Sequence, residues 1–313
     1  MRHVEGDGLR SSVIGLGTWQ FGSREWGYGA DYAAGTAPEL VRRALELGIT
    51  MLDTAEAYGP GRSERIIAGA LGAVPADGRG DLVVATKFLP LAPAEPIVAR
   101  QAAGSRRRLG VDSLDLYYAH WRNPFVSVRR TMQALRPLVD AGHVRRVGVS
   151  NYDLARWQEA ERALRLPVVA SQVRFSLVSP APARDLVPYA AAMGRLVVAY
   201  SPLGQGLLAR APGDVGQRPR GVRAANRHFR AGTRARLAPL HGALQEIAAA
   251  HAATPAQVAL AWVISHPNTI AIPGARTIAQ LEENAAAADL ALAGDEVARL
   301  TELAGAFDGR DRA

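Results

Sequence analysis

Residues 82–120 read LVVATKFLPLAPAEPIVARQAAGSRRRLGVDSLDLYYAH, and they give the clearest indication of the fold. It begins with an apolar run that ends at Lys87, continues through an Ala- and Arg-rich segment, and closes with a second apolar run that ends at His120. Continuous apolar runs are typical of parallel strands, because helices cover both faces of such a sheet. The stretch therefore predicts a strand, a helix and a second, parallel strand.

The same alternation of short apolar runs and longer helical segments extends in both directions along the chain. It predicts eight strands, at residues 13–16, 49–53, 82–87, 114–120, 144–149, 168–172, 196–201 and 269–273. Helical spacing occurs between them, for example at residues 37–47, 63–71, 126–140 and 154–164. Eight strand–helix units favour an α/β fold of the (β/α)8 barrel type, as a single domain over residues 1–313.

Three segments depart from the simple repeat. Residues 3–10 suggest a hairpin, and residues 294–307 predict an added C-terminal helix. The Gly-, Pro- and Arg-rich residues 202–235 predict a long loop after strand 7, which serves either as a lid over a ligand or as a plain insertion. An open doubly wound sheet is disfavoured, because GLGTWQ at residues 15–20 lacks the third glycine of a dinucleotide-binding turn.

The composition of the chain argues against nucleic-acid and membrane partners. The chain carries a formal charge of +8 from 37 basic and 29 acidic residues, but the basic residues are scattered and no nucleic acid is expected as a partner. There are no cysteines, no secretory signal and no apolar stretch near the ~18 residues that a membrane span requires. We therefore expect a cytoplasmic protein without a membrane partner; the sequence leaves the oligomeric state open.

Polar side chains stand where the predicted strands end. In a (β/α)8 barrel the carboxyl ends of the strands meet at one rim, where active sites lie. Asp53, Lys87 and His120 each close an apolar run, and Tyr58 follows Asp53 by five residues. The same rim is expected to hold Ser150, Asn151, Gln172, Tyr200 and Ser201.

Lys87 is the only lysine among the 37 lysine and arginine residues. Arginine keeps its charge at any accessible pH, whereas a buried lysine is a compact ammonium with an adjustable pKa. With a tyrosine, an aspartate and a histidine nearby, such a lysine suits carbonyl reduction. The tyrosine protonates the developing alkoxide, Asp53 holds the ammonium, the ammonium is expected to lower the tyrosine pKa, and His120 orients the carbonyl oxygen.

Six motifs occur in the order typical of aldo-keto reductases, and the chain resembles bacterial members of that family over nearly its whole length. They are GITMLDTAEAYG (48–59), ATK (85–87), LDLYYAHW (114–121), GHVRRVGVSN (142–151), AYSPLGQG (199–206) and IPGARTIAQLEEN (272–284). The resemblance implies a catalytic tetrad of Asp53, Tyr58, Lys87 and His120, with Tyr58 as the acid and base.

The resemblance also implies that NADP(H) is the cofactor. Its contacts are expected from Thr18, Trp19, Asp53, Ser150, Asn151, Gln172, Tyr200, Ser201, Leu203, Gln205, Ala275, Arg276, Gln280, Glu283 and Asn284. Arg276 is the natural partner of a 2′-phosphate. Gly274 and Gln280 stand where better-known eukaryotic members have a lysine and an arginine, which leaves use of NAD(H) open.

The substrate, a small carbonyl compound, is expected to contact Trp19, Tyr58, His120 and Trp121. Trp26, Tyr28 and Phe229 are further aromatic candidates, or else ordinary loop anchors. Arg122 raises the alternative of an acidic or phosphorylated substrate, against a plain exposed arginine.

Two other functions use part of this residue set. A Schiff-base aldolase would need Lys87 but not the cofactor segments. A cofactor-binding, poorly catalytic relative, like the channel-associated β subunits, would keep the cofactor residues. No metal site is predicted, because the seven histidines form no HxH or HExxH pair.

Overall fold

The computed structural model describes residues 1–22, 32–74, 78, 80–209 and 231–307. An antiparallel hairpin of β1 (His3–Gly6) and β2 (Leu9–Ser12) opens the chain, as expected for residues 3–10. Eight parallel strands follow and pair in chain order. They are β3 (Leu16–Gly17), β4 (Met51–Asp53), β5 (Val83–Phe88), β6 (Leu116–Ala119), β7 (Val147–Ser150), β8 (Val168–Arg174), β9 (Leu196–Tyr200) and β10 (Thr269–Ile272).

The sheet closes on itself between its first and last strands. Bridges pair Ile14 with Ala271 and Gly17 with Gly274, and the Gly15 N–H donates to the Ala271 carbonyl at 2.8 Å. Gly17 tolerates no side chain here, since a Cβ would lie 2.7 Å from the Ile272 carbonyl oxygen. This closure confirms the predicted (β/α)8 barrel.

Helices occupy the connections between strands. They are α1 (Trp19–Gly22), α2 (Ala37–Glu46), α3 (Arg62–Gly72), α4 (Glu95–Leu109), α5 (Val128–Asp140), α6 (Leu154–Leu164), α7 (Leu186–Met193), α8 (Ala231–Ala250), α9 (Pro255–Ile264), α10 (Ile278–Ala286) and α11 (Gly294–Ala304). The predicted C-terminal helix is α11, which continues as a 3-10 turn to Phe307.

The strands are buried on both faces, as their continuous apolar runs predict. One apolar cluster fills the barrel interior, with Met51, Ala85, Tyr118, Val198 and Ile270 among its members. The other lies between the sheet and the helices. Leu9 of the hairpin belongs to the interior cluster, so the hairpin covers the amino-terminal end of the barrel. The carboxyl end of the barrel is not covered by this hairpin and is where we expect a site.

The connection after β9, the seventh barrel strand, reaches to the start of α8 at Ala231, inside the predicted segment 202–235. Most of this connection, with Phe229, lies outside the described residues, and so do Trp26 and Tyr28. Among the described residues no single helix is long and apolar enough to cross a membrane; residues 236–250 and α9 pass that test only as a pair bent by 95°.

Candidate active site

A cleft of about 670 Å³ opens at the carboxyl ends of the barrel strands. Its lining includes every residue expected to contact the cofactor and the four main substrate candidates: Thr18, Trp19, Asp53, Tyr58, His120, Trp121, Ser150, Asn151, Gln172, Tyr200, Ser201, Leu203, Gln205, Ala275, Arg276, Gln280, Glu283 and Asn284. The fold therefore brings together residues that are spread over more than 250 positions of the chain. Lys87 is fully buried beneath this surface.

Lys87 contacts three groups at the end of β4 and in the loop that follows it. Its Nζ donates to Asp53 Oδ1 at 2.6 Å and to the Thr54 carbonyl at 2.7 Å, and it lies 3.5 Å from the Tyr58 hydroxyl. The other carboxylate oxygen of Asp53 accepts from Gln172 Nε2 at 2.6 Å. Three members of the predicted tetrad, Asp53, Tyr58 and Lys87, thus form one group around a single buried ammonium.

Burial dominates the electrostatics of this group. Burial raises the pKa of Asp53, while the charge of Lys87 and the hydrogen bonds from Lys87 and Gln172 lower it. Burial lowers the pKa of Lys87, while the nearby charge of Asp53 raises it. Burial also raises the pKa of the Tyr58 phenol well above its ordinary value, and the negative charge of Asp53 adds to this. The net pKa of Tyr58 is therefore raised, and not lowered as expected from the Lys87 ammonium alone. The Tyr58 phenol is therefore protonated at neutral pH.

His120 is a neutral imidazole in this site. Burial first, and the Lys87 charge second, lower its pKa to about 3. Its ring lies edge-on to Tyr58, with the ring centroids 5.8 Å apart, and stacks on Trp121 at 5.5 Å. Its Nδ1 is buried without a hydrogen-bond partner among the described residues. A neutral imidazole can orient a carbonyl oxygen without competing with Tyr58 for the proton.

The residues after β7 and β9 form the next part of the cleft. The Tyr200 hydroxyl donates to Asn151 Oδ1 at 2.8 Å, and Asn151 Nδ2 donates to the His120 carbonyl at 3.2 Å. Asn151, Ser201 and Gln205 all have positive φ, at 62°, 50° and 60°. Non-glycine residues rarely adopt this conformation, and it is concentrated at ligand sites.

The segment from Gly274 to Asn284 closes the far end of the cleft. Thr277 caps helix α10, and the Gln280 side chain accepts the Arg276 N–H at 2.9 Å. The Glu283 carboxylate accepts from Thr254 at 2.6 Å, so it also anchors α10 to the start of α9. A helix N-terminus beside an arginine suits a phosphate group.

Sequence reasoning missed several lining residues. Gln20 lines the cleft, and its amide donates to the Ala275 carbonyl at 3.0 Å, which the Tyr32 hydroxyl also reaches at 3.0 Å. A Cβ on Gly274 would lie 2.8 Å from Gln20 Oε1, so the absence of a side chain there makes room for this contact. Arg174 also lines the cleft. It lies two residues after Gln172 on β8, and alternate residues of a strand point to the same face, so the sequence could have indicated it.

The substrate end is apolar and aromatic. Trp19 and Tyr58 are stacked with centroids 6.2 Å apart, and Leu89, which sequence reasoning did not single out, lies beside them in the cleft lining. Arg122 is exposed and does not line the cleft, and its charge acts on the pKa of Tyr152 instead. The structure does not bring Arg122 to the predicted tetrad.

Comparison with known proteins agrees with this geometry. The model of the Aldo/keto reductase family matches residues 13–304. An uncharacterized oxidoreductase of Mycobacterium tuberculosis is 49% identical over 308 residues, covering 98% of this chain and 94% of the relative. A methylglyoxal reductase of Escherichia coli is 33% identical over 302 residues, covering 95% and 93%.

Solved structures of aldo-keto reductases are similar to this chain over nearly its whole length. An aldo-keto reductase from Klebsiella pneumoniae in complex with NADPH superposes with a TM-score of 0.77 at 32% identity, covering 97% of this chain and 95% of that one. A thermostable aldo-keto reductase bound to the inhibitor epalrestat has a TM-score of 0.78 at 31% identity, covering 97% and 100%. The chain therefore belongs to the aldo/keto reductase family.

Proposed function

We propose that this protein reduces aldehydes or ketones to alcohols with NADPH, and that Tyr58 is the general acid. One observation carries the proposal: a protonated, half-buried phenol lies 3.5 Å from a lysine ammonium whose position is fixed by Asp53, at the apolar end of a cleft. When bound, NADPH supplies the hydride to the carbonyl carbon.

The side chains then have separate tasks. Tyr58 gives its proton to the carbonyl oxygen as negative charge develops there, and a phenol suits this task because an alkoxide is far more basic than a phenolate. The Lys87 ammonium stabilises the phenolate that is left. Asp53 and Gln172 hold that ammonium in place, and neutral His120 orients the carbonyl oxygen.

The cleft suits a dinucleotide. Ser150, Asn151 and Gln172 offer one hydroxyl and two amides, which match a carboxamide, and Tyr200 offers an aromatic face. Gly17 has no room for a Cβ, so the backbone itself forms that wall. Ser201 and Gln205 have the strained backbone typical of a ligand clamp.

The aldolase alternative loses support from the position of Lys87. A Schiff base requires the amine to reach the substrate carbonyl, but this side chain is fully buried and its Nζ is held by Asp53 and Thr54. Borohydride with a carbonyl compound should accordingly trap nothing on Lys87.

The decisive test is Tyr58→Phe, followed by NADPH oxidation with an aromatic aldehyde, an aldose and methylglyoxal, the last because the Escherichia coli relative is a methylglyoxal reductase. Turnover should fall at least ~100-fold, since a positioned acid contributes that much, with NADPH affinity unchanged. Tyr117→Phe is the matched control, because that hydroxyl is buried without a partner among the described residues and lies outside the cleft. Tight NADPH binding by a wild type that reduces nothing would instead favour the poorly catalytic, cofactor-binding relative.

We further propose that Arg276 binds the 2′-phosphate of NADPH, with NADH as a weaker alternative. Arg276→Ala should weaken NADPH binding by roughly 10- to 100-fold, the range for a lost hydrogen bond to a charged group, and leave NADH unchanged. Fluorescence titration measures both affinities without turnover. Arg122→Ala, which removes an exposed arginine outside the cleft, is the control. Parallel losses for both nucleotides would remove Arg276 from the phosphate site.

A further inference from the structure

The Asn123 side chain makes hydrogen bonds that connect the loop after β5 to the loop after β6. Asn123 Nδ2 donates to the carbonyls of Pro90 and Leu91, at 2.8 and 2.9 Å. Its Oδ1 accepts the N–H of Phe125 at 2.8 Å. Both donor hydrogens of the amide and one of its acceptor positions are thus used on loop backbone. No other side chain is shown to bridge these two loops within the described residues.

The loop after β5 is also held from its other side. The Glu56 carboxylate accepts the Leu89 N–H at 2.8 Å and the Gln101 amide at 2.8 Å, and the same Gln101 nitrogen donates to the Leu89 carbonyl at 3.1 Å. Glu56 lies two residues before Tyr58 in the loop after β4. Residues 89–91 are therefore fixed between the loop that carries the acid and the loop that follows His120.

These fixed loops carry four large apolar side chains, of which two line the cleft and two are highly exposed. Leu89 and Trp121 line the cleft itself. Leu91, Trp121 and Phe125 are 79%, 49% and 94% exposed, and they are three of the six large apolar side chains that are exposed in the described part of the chain. Leu91 and Phe125 follow Leu89 and Trp121 on the same two loops, and exposed apolar patches are often ligand-binding surfaces.

From these contacts we propose that Asn123 is a positioning residue: it fixes an apolar rim (Leu89, Leu91, Trp121 and Phe125) against which the apolar body of the substrate lies. The site then selects carbonyl compounds with a bulky apolar group over small or highly polar ones. The inference rests on the proposed carbonyl reduction and adds its substrate class. Asn123 itself touches neither the tetrad nor the reacting atoms.

The test compares two aldehydes of similar reactivity, propanal and 3-phenylpropanal, on the full-length protein with saturating NADPH. Wild type should prefer 3-phenylpropanal through a lower KM. Leu91→Ala/Phe125→Ala removes exposed side chains only and should fold normally. It should raise the KM for 3-phenylpropanal about tenfold, the low end of what apolar pocket contacts discriminate, with kcat and the propanal KM unchanged.

Asn123→Ala should produce the same selective rise in KM while every rim side chain is still present, with NADPH affinity by fluorescence titration unchanged. Met193→Ala, at an exposed apolar residue on α7, is the control and should change neither aldehyde. A rise in KM that is equal for both aldehydes, or none in the Leu91/Phe125 variant, would overturn the inference. That failure is distinct from failure of the proposed function, in which wild type would reduce neither aldehyde or Tyr58→Phe would remain active.

Discussion

Replacing Lys87 by Met tests how the buried pair supports the site. Methionine has nearly the length of lysine and no charge, so the change removes the ammonium and its bonds to Asp53 and Thr54 with little change in packing. Asp53 is left buried, with the Gln172 amide as its remaining side-chain donor among the described residues. Removing one partner of a buried ion pair typically costs about 3–5 kcal/mol, because the other charge loses its compensation. The free energy of unfolding should fall by that amount at neutral pH.

The loss should depend on pH. Burial raises the pKa of Asp53, and Lys87 counteracts this, so the variant's Asp53 pKa must lie higher still. A carboxyl with a raised folded-state pKa is stabilised in its protonated form, so the deficit is smallest at low pH and grows as pH rises through that pKa. Urea unfolding at pH 5 and pH 8, followed by tryptophan fluorescence, measures both values.

Asp53→Asn in the same background supplies the control. The double variant has no unpaired buried charge and should therefore recover most of the lost stability. It should remain inactive, because no ammonium lies beside the Tyr58 phenolate. A deficit of less than ~1 kcal/mol, the range of an exposed pair, and equal at both pH values would refute the reasoning. The same result would mean that Asp53 and Lys87 are not coupled in the folded protein.

Two further predictions concern His120 and Gly148. Since the pKa of His120 is lowered to about 3, the imidazole stays neutral across the physiological range, and kcat/KM for reduction should show no inflection between about pH 5 and 8; an inflection near pH 6.5 that vanishes in His120→Gln would contradict this. A Cβ on Gly148 would overlap the buried ring of Tyr118 and lie 3.1 Å from the Ala170 carbonyl oxygen. Gly148→Ala should therefore lower the free energy of unfolding by about 1–3 kcal/mol, the usual cost of overpacking, and an unchanged urea midpoint would show that the ring has room to move.

The fold was predictable because each strand had to be apolar on both faces. The runs ending at Asp53, Lys87 and His120 carry that pattern, and their last residues necessarily reach one rim. The first strand was harder: of residues 13–16, only Leu16 enters the ladder with β4, while Ile14 bridges to Ala271 at the closure. That pairing depends on a strand far along the chain, which local pattern does not indicate.

The site residues that end strands could be predicted from the sequence. Those that lie in irregular loops, and the pKa values of the site, could not. Leu89 and Gln20 lie in irregular segments without periodicity, so nothing local marked them. The pKa of Tyr58 is raised by burial first, and by Asp53 and Tyr200 second. Burial of that degree is a property of the assembled barrel and is not visible in residue types.

The closure between β3 and β10 also affects how the protein folds during and after synthesis. During synthesis, residues 13–17 leave the ribosome long before residues 271–274, so the ring of strands has a gap until nearly the whole chain is made. The cleft spans that gap, with Gly17 on one side and Gly274 on the other. Pairings between distant segments form slowly, because chain closure costs entropy before contacts reward it. Incomplete or half-folded chains should therefore be unable to sequester nucleotide, and nucleotide capture should report that folding has been completed.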